Sequence, residues 1–345
     1  MTSTLAVRLD SLGDVLVTGP AVRALAASSE HLTLLCGPRG RAAAELLPGV
    51  DDLLCWEAPW IDPEPEPVRR DDVDLLVEAV AAGGFERAVV FTSFHQSPLP
   101  TALLLRMAGV PWVGAISEDY PGSLLDVRHR CRDDQPEPER ALGLARACGA
   151  DLPDGDDGRL AVRDEVVEGS GPVQRYVVLH PGTSVPARAW PAERYREACR
   201  LLTAEGHRVV VTGAPEEAEL TAYVAGEDGV DAGGGSFAEL ARVLAGADVV
   251  VVGNTGPAHL AAAVGTPVVS LFAPTVPAVR WAPYGVRTVL LGDQQAPCRG
   301  TRASTCPVPG HPCLSSVAAS EVVAAVAVLA PARAGDRAPT LRRIS

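Results

Sequence analysis

Residues 248–275 read DVVVVGNTGPAHLAAAVGTPVVSLFAPT, and the fold follows from them. The apolar run 248–253 reads as a buried strand, the Ala-rich segment 256–264 as a helix, and PVVSLF (267–272) as the next strand. Strand, Gly turn, helix, strand is a βαβ unit, and its crossover makes the two strands parallel. Asn254, Thr255 and Gly256 stand where the strand gives way to the helix, and backbone N–H groups at a helix start bind anions. His259 lies one turn further in and can point toward the same anion. A lone His on a small apolar helix is more often a satisfied core residue; its place beside an anion site is what favours function.

The same alternation extends outward. Upstream come YVVLH (176–180), a helix 191–205, RVVVTG (208–213) and helices 215–225 and 236–245. At the start of the chain, LAVRL (5–9), HLTLLC (31–36), RAVVF (87–91) and PWVGA (111–115) read as strands, interleaved with helical patterns at 13–27, 38–47, 72–82 and 98–108. Between residues 117 and 173 the periodicity weakens, and DDQPEPE (133–139) and DLPDGDDGR (151–159) gather Pro, Gly and acidic residues. A domain boundary is expected there. The fold class is therefore α/β, with two Rossmann-like doubly wound domains at 1–165 and 166–330 and an Arg-, Ala- and Pro-rich tail at 331–345. PEPEP (63–67) is expected to be a stiff surface loop.

Composition narrows the function. A chain of 345 residues, 47% hydrophobic and 21% charged, has enough apolar material for two cores. A net charge of -13 argues against a general nucleic-acid binder, which needs a basic surface. The start MTSTLAVRLD lacks a basic region followed by a long apolar one, and no run reaches about 18 apolar residues, so the expectation is a cytoplasmic protein with at most peripheral membrane contact. All 30 basic residues are Arg, which reads as compositional drift. Of eight Cys, Cys36, Cys55, Cys131, Cys148 and Cys199 sit in apolar stretches and are expected to be small buried thiols. Cys298, Cys306 and Cys313 cluster with His311, a donor set zinc accepts, though the irregular spacing favours structural thiols.

Chemistry is sought in the loops beyond the carboxyl ends of the strands. DSLGDV (10–15) has one Gly where a nicotinamide fingerprint wants three, which disfavours a dehydrogenase. Ser11 and Gly13 shape this turn, and Asp14 falls on the first helical turn facing the cleft. There it serves either as a general base or as a complement to the helix N-terminus. In LHPGTSVPARAWP (179–191), Thr183 and Ser184 supply hydroxyls and Arg188 a fork of N–H groups, the makings of a pyrophosphate pocket. Turn formers and a surface charge are the plainer reading, and Pro191 is placed at the first position of the following helix. Glu217 can accept hydrogen bonds from ribose or sugar hydroxyls, or, with Glu216, simply suit a first helical turn.

Taken together, DSLGD (10–14), HPGTSVPARAWP (180–191), GAPEE (213–217) and NTGPAHLAAAVGTPVVSLFAPT (254–275) resemble glycosyltransferase family 9, the ADP-heptose:lipopolysaccharide heptosyltransferases. The match is ordered and spans both halves, and the Cys298–Leu314 segment looks like the tail of many members. The resemblance implies a GT-B fold with the acceptor in the first domain and the nucleotide sugar in the second. It implies inverting transfer without a metal, and no cofactor besides an ADP-sugar co-substrate. Asp14 matches the family's catalytic base, Arg188 a basic position, often Lys, near the diphosphate, Thr183 and Ser184 its hydroxyl pair, and Glu217 its ribose-side carboxylate. Gly256 and His259 match a motif in which Asp, Ser or Thr, and Gly precede His. Thr255 fits that motif, but Asn254 stands at the usual Asp and keeps the shape without the charge, pointing to a different donor sugar or a weaker grip. A GT-B sugar-nucleotide epimerase and a catalytically silent nucleotide-binding homologue are the alternatives. The acceptor is a glycan or a small molecule, and a monomer is expected.

Overall fold

A computed structural model describes residues 3–62, 64–131, 134–169 and 175–330. Its frame is two wholly parallel six-stranded sheets. The first contains β1 (Ser3–Arg8), β2 (His31–Cys36), β3 (Asp52–Cys55), β4 (Arg87–Val90), β5 (Val113–Ile116) and β6 (Val127–His129), in the order β3-β2-β1-β4-β5-β6. The second contains β7 (Val177–His180), β8 (Val209–Val211), β9 (Val230–Asp231), β10 (Val249–Gly253), β11 (Val268–Leu271) and β12 (Thr288–Leu291), in the order β12-β11-β10-β7-β8-β9. Counted from its own first strand, each sheet has the same order. Each therefore reverses its winding at one place, between β1 and β4 and between β7 and β10, and that is where doubly wound sheets bind ligands.

β10 shows why the strands form where they do. Its Val residues are β-branched, it is buried on both faces, and it pairs in register with Val177–His180 on one side and Val268–Leu271 on the other. Four strands fall outside the runs read from the sequence: β3, β6, β9 and β12. All four are sheet edges, and none of their residues is fully buried; β6 and β9 carry no continuous apolar run, and β3 and β12 only short ones. Local structure departs from expectation at two places. Residues 38–47, expected as one helix, form a 3-10 turn Pro38–Gly40 and a single turn Arg41–Ala44. Pro191 occupies the N-cap of the helix Ala192–Ala204, one place earlier than expected.

The stretch 117–173 is more than a linker. It supplies β6 and the helix Glu137–Ala147, which packs along the helix Leu12–Ala27. That helix hides its amphipathic pattern because Glu137 and Arg140 are themselves buried, Arg140 donating to the Thr92 carbonyl at 2.6 Å and pairing with Glu137 at 3.2 Å. The following segment is tied down by Arg23, which holds Asp156 at 2.6 and 2.8 Å and the Arg159 carbonyl at 2.8 Å.

The two halves meet where the helix Leu12–Ala27 crosses the helix Gly256–Ala263, and one buried apolar cluster runs through the crossing, from Val15 and Leu16 to Ala258 and Leu260. All eight cysteines are free thiols. Cys36, Cys148 and Cys199 are buried as expected, whereas Cys55 is exposed and Cys131 half-buried, the former because it lies on an edge strand. Residues 64–67 of the PEPEP segment are exposed; Pro63 and the tail 331–345 lie outside the described residues. Among the described residues no helix is long and apolar enough to cross a membrane.

Candidate active site

Both winding reversals open into one cavity of about 320 Å³, lined from the first half by Asp10, Ser11, Gly13, Asp14 and Ser93 and from the second by Arg188, Asn254, Thr255 and His259. A second cavity of about 640 Å³ adjoins it, and Ser11, Gly13, Thr183, Ser184, Thr255 and Gly256 line both. Glu217 and Glu216 face only the second, together with Glu239 and the apolar Phe237, Leu240 and Val243.

Asp14 sits on the first turn of the helix Leu12–Ala27. Ser11, at the N-cap, makes no cap hydrogen bond with its side chain; its hydroxyl donates instead to Asp14 Oδ2 at 2.8 Å. Oδ1 accepts from Arg8 Nη2 at 2.9 Å and from the Ser93 hydroxyl at 3.2 Å. Arg8 is 1% exposed, projecting from the end of β1, and its Nε also meets Asp10 Oδ2 at 3.1 Å. Burial pushes the Asp14 carboxyl up, but the Arg8 guanidinium and the Ser11 hydroxyl outweigh it and hold the group below its ordinary value. Asp14 is therefore ionised at neutral pH. Asp10 fares differently: burial pushes it up to about 6 against the pull of Arg8, and the charge of Asp14 adds to the rise.

On the facing side, Thr255 is the N-cap of the helix Gly256–Ala263 and Asn254 is buried before it. The Arg188 guanidinium, carried by the turn Pro186–Arg188, donates from Nη1 to the Asn254 carbonyl at 3.2 Å. Arg188 Nε, Asn254 Nδ2 and His259 Nδ1 are buried polar atoms with no partner. Arg188, Asn254 and His259 all line the cavity, and an unpartnered buried polar atom is costly. Burial pushes the His259 imidazole down to about 4 despite nearby Asp14, so it is neutral at pH 7, with one nitrogen able to donate. Thr183 is held within its own turn, its hydroxyl bonded to Val185 on both the donor and acceptor side. Glu217 Oε2 accepts from the Ala214 N–H at 2.9 Å and lies over Gly182, where any side chain would collide with it.

The crossing of the two helices fixes Asp14 relative to His259. A Cβ on Gly13 would lie 2.9 Å from His259 Cδ2 and 3.4 Å from Gly256 Cα, and one on Gly256 would lie 3.2 Å from Leu12 Cβ. Gly13→Ala is expected to cost about 1–3 kcal/mol of stability by overpacking and to lower turnover by displacing both neighbours. Thermal unfolding and initial rates check it; unchanged rates would mean that the halves do not need this contact.

Several residues at the site escape the sequence reading: Arg8, Asp10, Ser93, Gln96, Glu239 and Arg302. A signal existed for Arg8, a charge inside an apolar strand. Ser93 and Gln96 lie on the loop after β4, where Gln96 donates to Asp10 at 2.5 Å, and the winding rule alone would have pointed to that loop. Within the C-terminal cysteine segment, Cys298 and Cys313 are buried, whereas His311 Nε2 bonds the Ala187 carbonyl at 3.0 Å. No group of three or more His, Cys, Asp or Glu side chains among the described residues is placed to hold a metal ion.

Two facing doubly wound sheets with a shared cleft define the GT-B architecture. Residues 77–310 match the model of glycosyltransferase family 9 (heptosyltransferase), and the chain belongs to that family. It is a glycosyltransferase. Among solved structures it is similar to a family 9 glycosyl transferase from Veillonella parvula, with 18% identity and a TM-score of 0.76 over 95% of this chain and 97% of that one. It is also similar to the E. coli heptosyltransferase WaaC with ADP-2-deoxy-2-fluoro heptose, with 22% identity and a TM-score of 0.72 over 94% and 98% of the two chains. For E. coli ADP-heptose lps heptosyltransferase II the values are 19% identity and a TM-score of 0.71 over 95% and 98%. Comparison with curated protein sequences gives no match.

Proposed function

We propose that the protein is an inverting glycosyltransferase that moves a heptose from ADP-heptose to an acceptor hydroxyl without a metal ion. The observation that carries this reading is the pair of adjoining cavities. The larger one has the apolar walls and the carboxylates suited to a nucleoside, and it leads past Thr183, Ser184 and Thr255 into the cavity of Asp14 and Arg188. A donor laid along this path puts its diphosphate over the N-terminus of the helix Gly256–Ala263, beside Arg188 and His259, and its sugar toward Asp14. Glu217, and Glu239 beside it, then face the ribose. Asn254 lines the cavity of Asp14 and Arg188 with its Nδ2 unpartnered, which suits a donor sugar that offers an acceptor atom there.

Asp14 takes the proton of the acceptor hydroxyl as that oxygen attacks the anomeric carbon from the side opposite the diphosphate. The sugar–phosphate bond breaks in the same displacement, and Arg188 with the helix N-terminus stabilises the charge that leaves with the nucleoside diphosphate. The similarity to an E. coli ADP-heptose heptosyltransferase and to WaaC with ADP-2-deoxy-2-fluoro heptose, together with the family resemblance, supports ADP-heptose; the acceptor is a glycan or small molecule reaching the cleft from the first half.

Calorimetric titration with ADP, GDP, UDP and dTDP tests the donor reading. Selective binding of ADP is expected, with ADP release from ADP-heptose persisting in excess EDTA and the product showing an inverted anomeric centre by NMR. Absence of binding by all four nucleotides sinks the donor site, and abolition of turnover by EDTA sinks metal independence.

A further inference from the structure

Two non-glycine residues among those described have left-handed backbones, Arg302 (φ 56°) and His311 (φ 49°), and both lie in the segment that follows Cys298. Non-glycine residues pay for that conformation, so it persists where the surroundings demand it, often at a working site. The part played by His311 is visible: its ring holds the Ala187 carbonyl, and the Ala187 N–H donates to the Ser304 carbonyl at 2.9 Å, so the segment clamps the turn that carries Arg188. Arg302 is pinned by its own N–H, which donates to the Thr275 carbonyl at 2.9 Å just beyond β11. Its side chain lines the cavity of Asp14 and Arg188, with the guanidinium carbon 5.7 Å from the centre of the Phe94 ring.

The charges in this cavity are unevenly matched. Asp10 and Asp14 share the buried Arg8. Neither Arg188 nor Arg302 pairs with a carboxylate among the described residues, and the Arg302 guanidinium makes no hydrogen bond there. The two cations also feel one another: burial lowers the proton affinity of Arg188, the charge of Asp14 raises it, and the charge of Arg302 lowers it again. Arg188 is half-buried and Arg302 exposed at the cavity they both line, and two arginines on one cavity suit an anion of more than one charge. Arg188 and Arg302 both line this inner cavity, and neither lines the nucleoside cavity.

We infer that Arg302 is a second diphosphate-binding arginine, contacting the sugar-side phosphate of the donor, and that its strained backbone is retained for this contact. The inference rests on the donor reading above. Arg302 neutralises the phosphate that becomes the leaving group as its bond to the sugar breaks, adding to what Arg188 supplies.

The test compares ADP with AMP, which lacks the sugar-side phosphate, by calorimetry on wild type, Arg302→Gln and Arg302→Gly. Both variants are expected to bind ADP about 10- to 100-fold more weakly, as for loss of a charge-assisted contact, and AMP as wild type does. Because glycine accepts φ 56° freely, Arg302→Gly is expected to unfold at the same or a higher temperature than wild type despite binding ADP worse. Unchanged ADP affinity in both variants overturns the inference, as does an equal loss for AMP. A lower unfolding temperature in Arg302→Gly overturns the claim of retained strain. If wild type binds none of the nucleoside diphosphates, the donor reading itself fails, an outcome distinct from wild-type binding that the variants leave intact.

Discussion

Asp14→Asn is expected to lower turnover by about 10²- to 10⁴-fold, the range for loss of a general base, while ADP binds as before. The substitution suits the question because it keeps the shape of the side chain. The remaining amide oxygen can still accept from Arg8 and Ser93, and the new NH₂ can donate to the Ser11 hydroxyl, which rotates to accept. The fold and the donor cavity therefore remain, and only the ability to take a proton is lost. Rates of ADP release from ADP-heptose with acceptor present, alongside calorimetry with ADP, separate the two. A variant that keeps most of its turnover would move the base elsewhere in the cleft.

Arg8→Met should have the largest effect on stability, about 3–5 kcal/mol, because it leaves Asp10 and Asp14 buried together without their cation. The pH dependence identifies the cause. Asp14 is held below its ordinary value in the folded state, so its contribution to stability is present above that value and disappears as pH falls through the folded pKa. Asp10, pushed up to about 6, acts in the opposite sense and adds stability as pH falls below about 6 toward its ordinary value. Without Arg8 both carboxyls rise, and the folded variant takes up protons that the unfolded chain does not. Its deficit against wild type should be largest near neutral pH and shrink toward about pH 5. Urea unfolding of both proteins at the two pH values measures this; a deficit equal at both would mean that Arg8 acts through packing alone.

These two residues also show what the sequence could and could not disclose. Asp14 was legible because a Gly turn and an apolar helix place it at a strand end, a local relation the chain states directly. Arg8 and Ser93 meet at Asp14 only because β1 and β4 are neighbours across a crossover of some eighty residues, and pairings at that separation leave no periodic trace. The inner strands could be read from their unbroken Val and Leu runs, whereas β6 and β9 carry no such run and β3 and β12 only short ones, since an edge strand is not buried on both faces. Arg302 had no local signal at all. It belongs to an irregular segment whose meaning comes from the loop after β11 that it is hung upon.

The clamp on the Arg188 turn bears on how the chain is made. Synthesis runs from the N-terminus, and domains generally fold as they emerge. The first sheet has its last strand by His129, so Asp14 and its arginine can be in place while more than half of the protein is still untranslated. The Pro186–Arg188 turn must wait for groups made more than a hundred residues later, Ser304, His311 and Val317, whose carbonyl accepts from Trp190 Nε1 at 3.2 Å. A nascent or truncated chain thus has Asp14 and Arg8 in place long before the turn of Arg188 is clamped, so the proposed phosphate side of the cleft is finished after the side that carries Asp14.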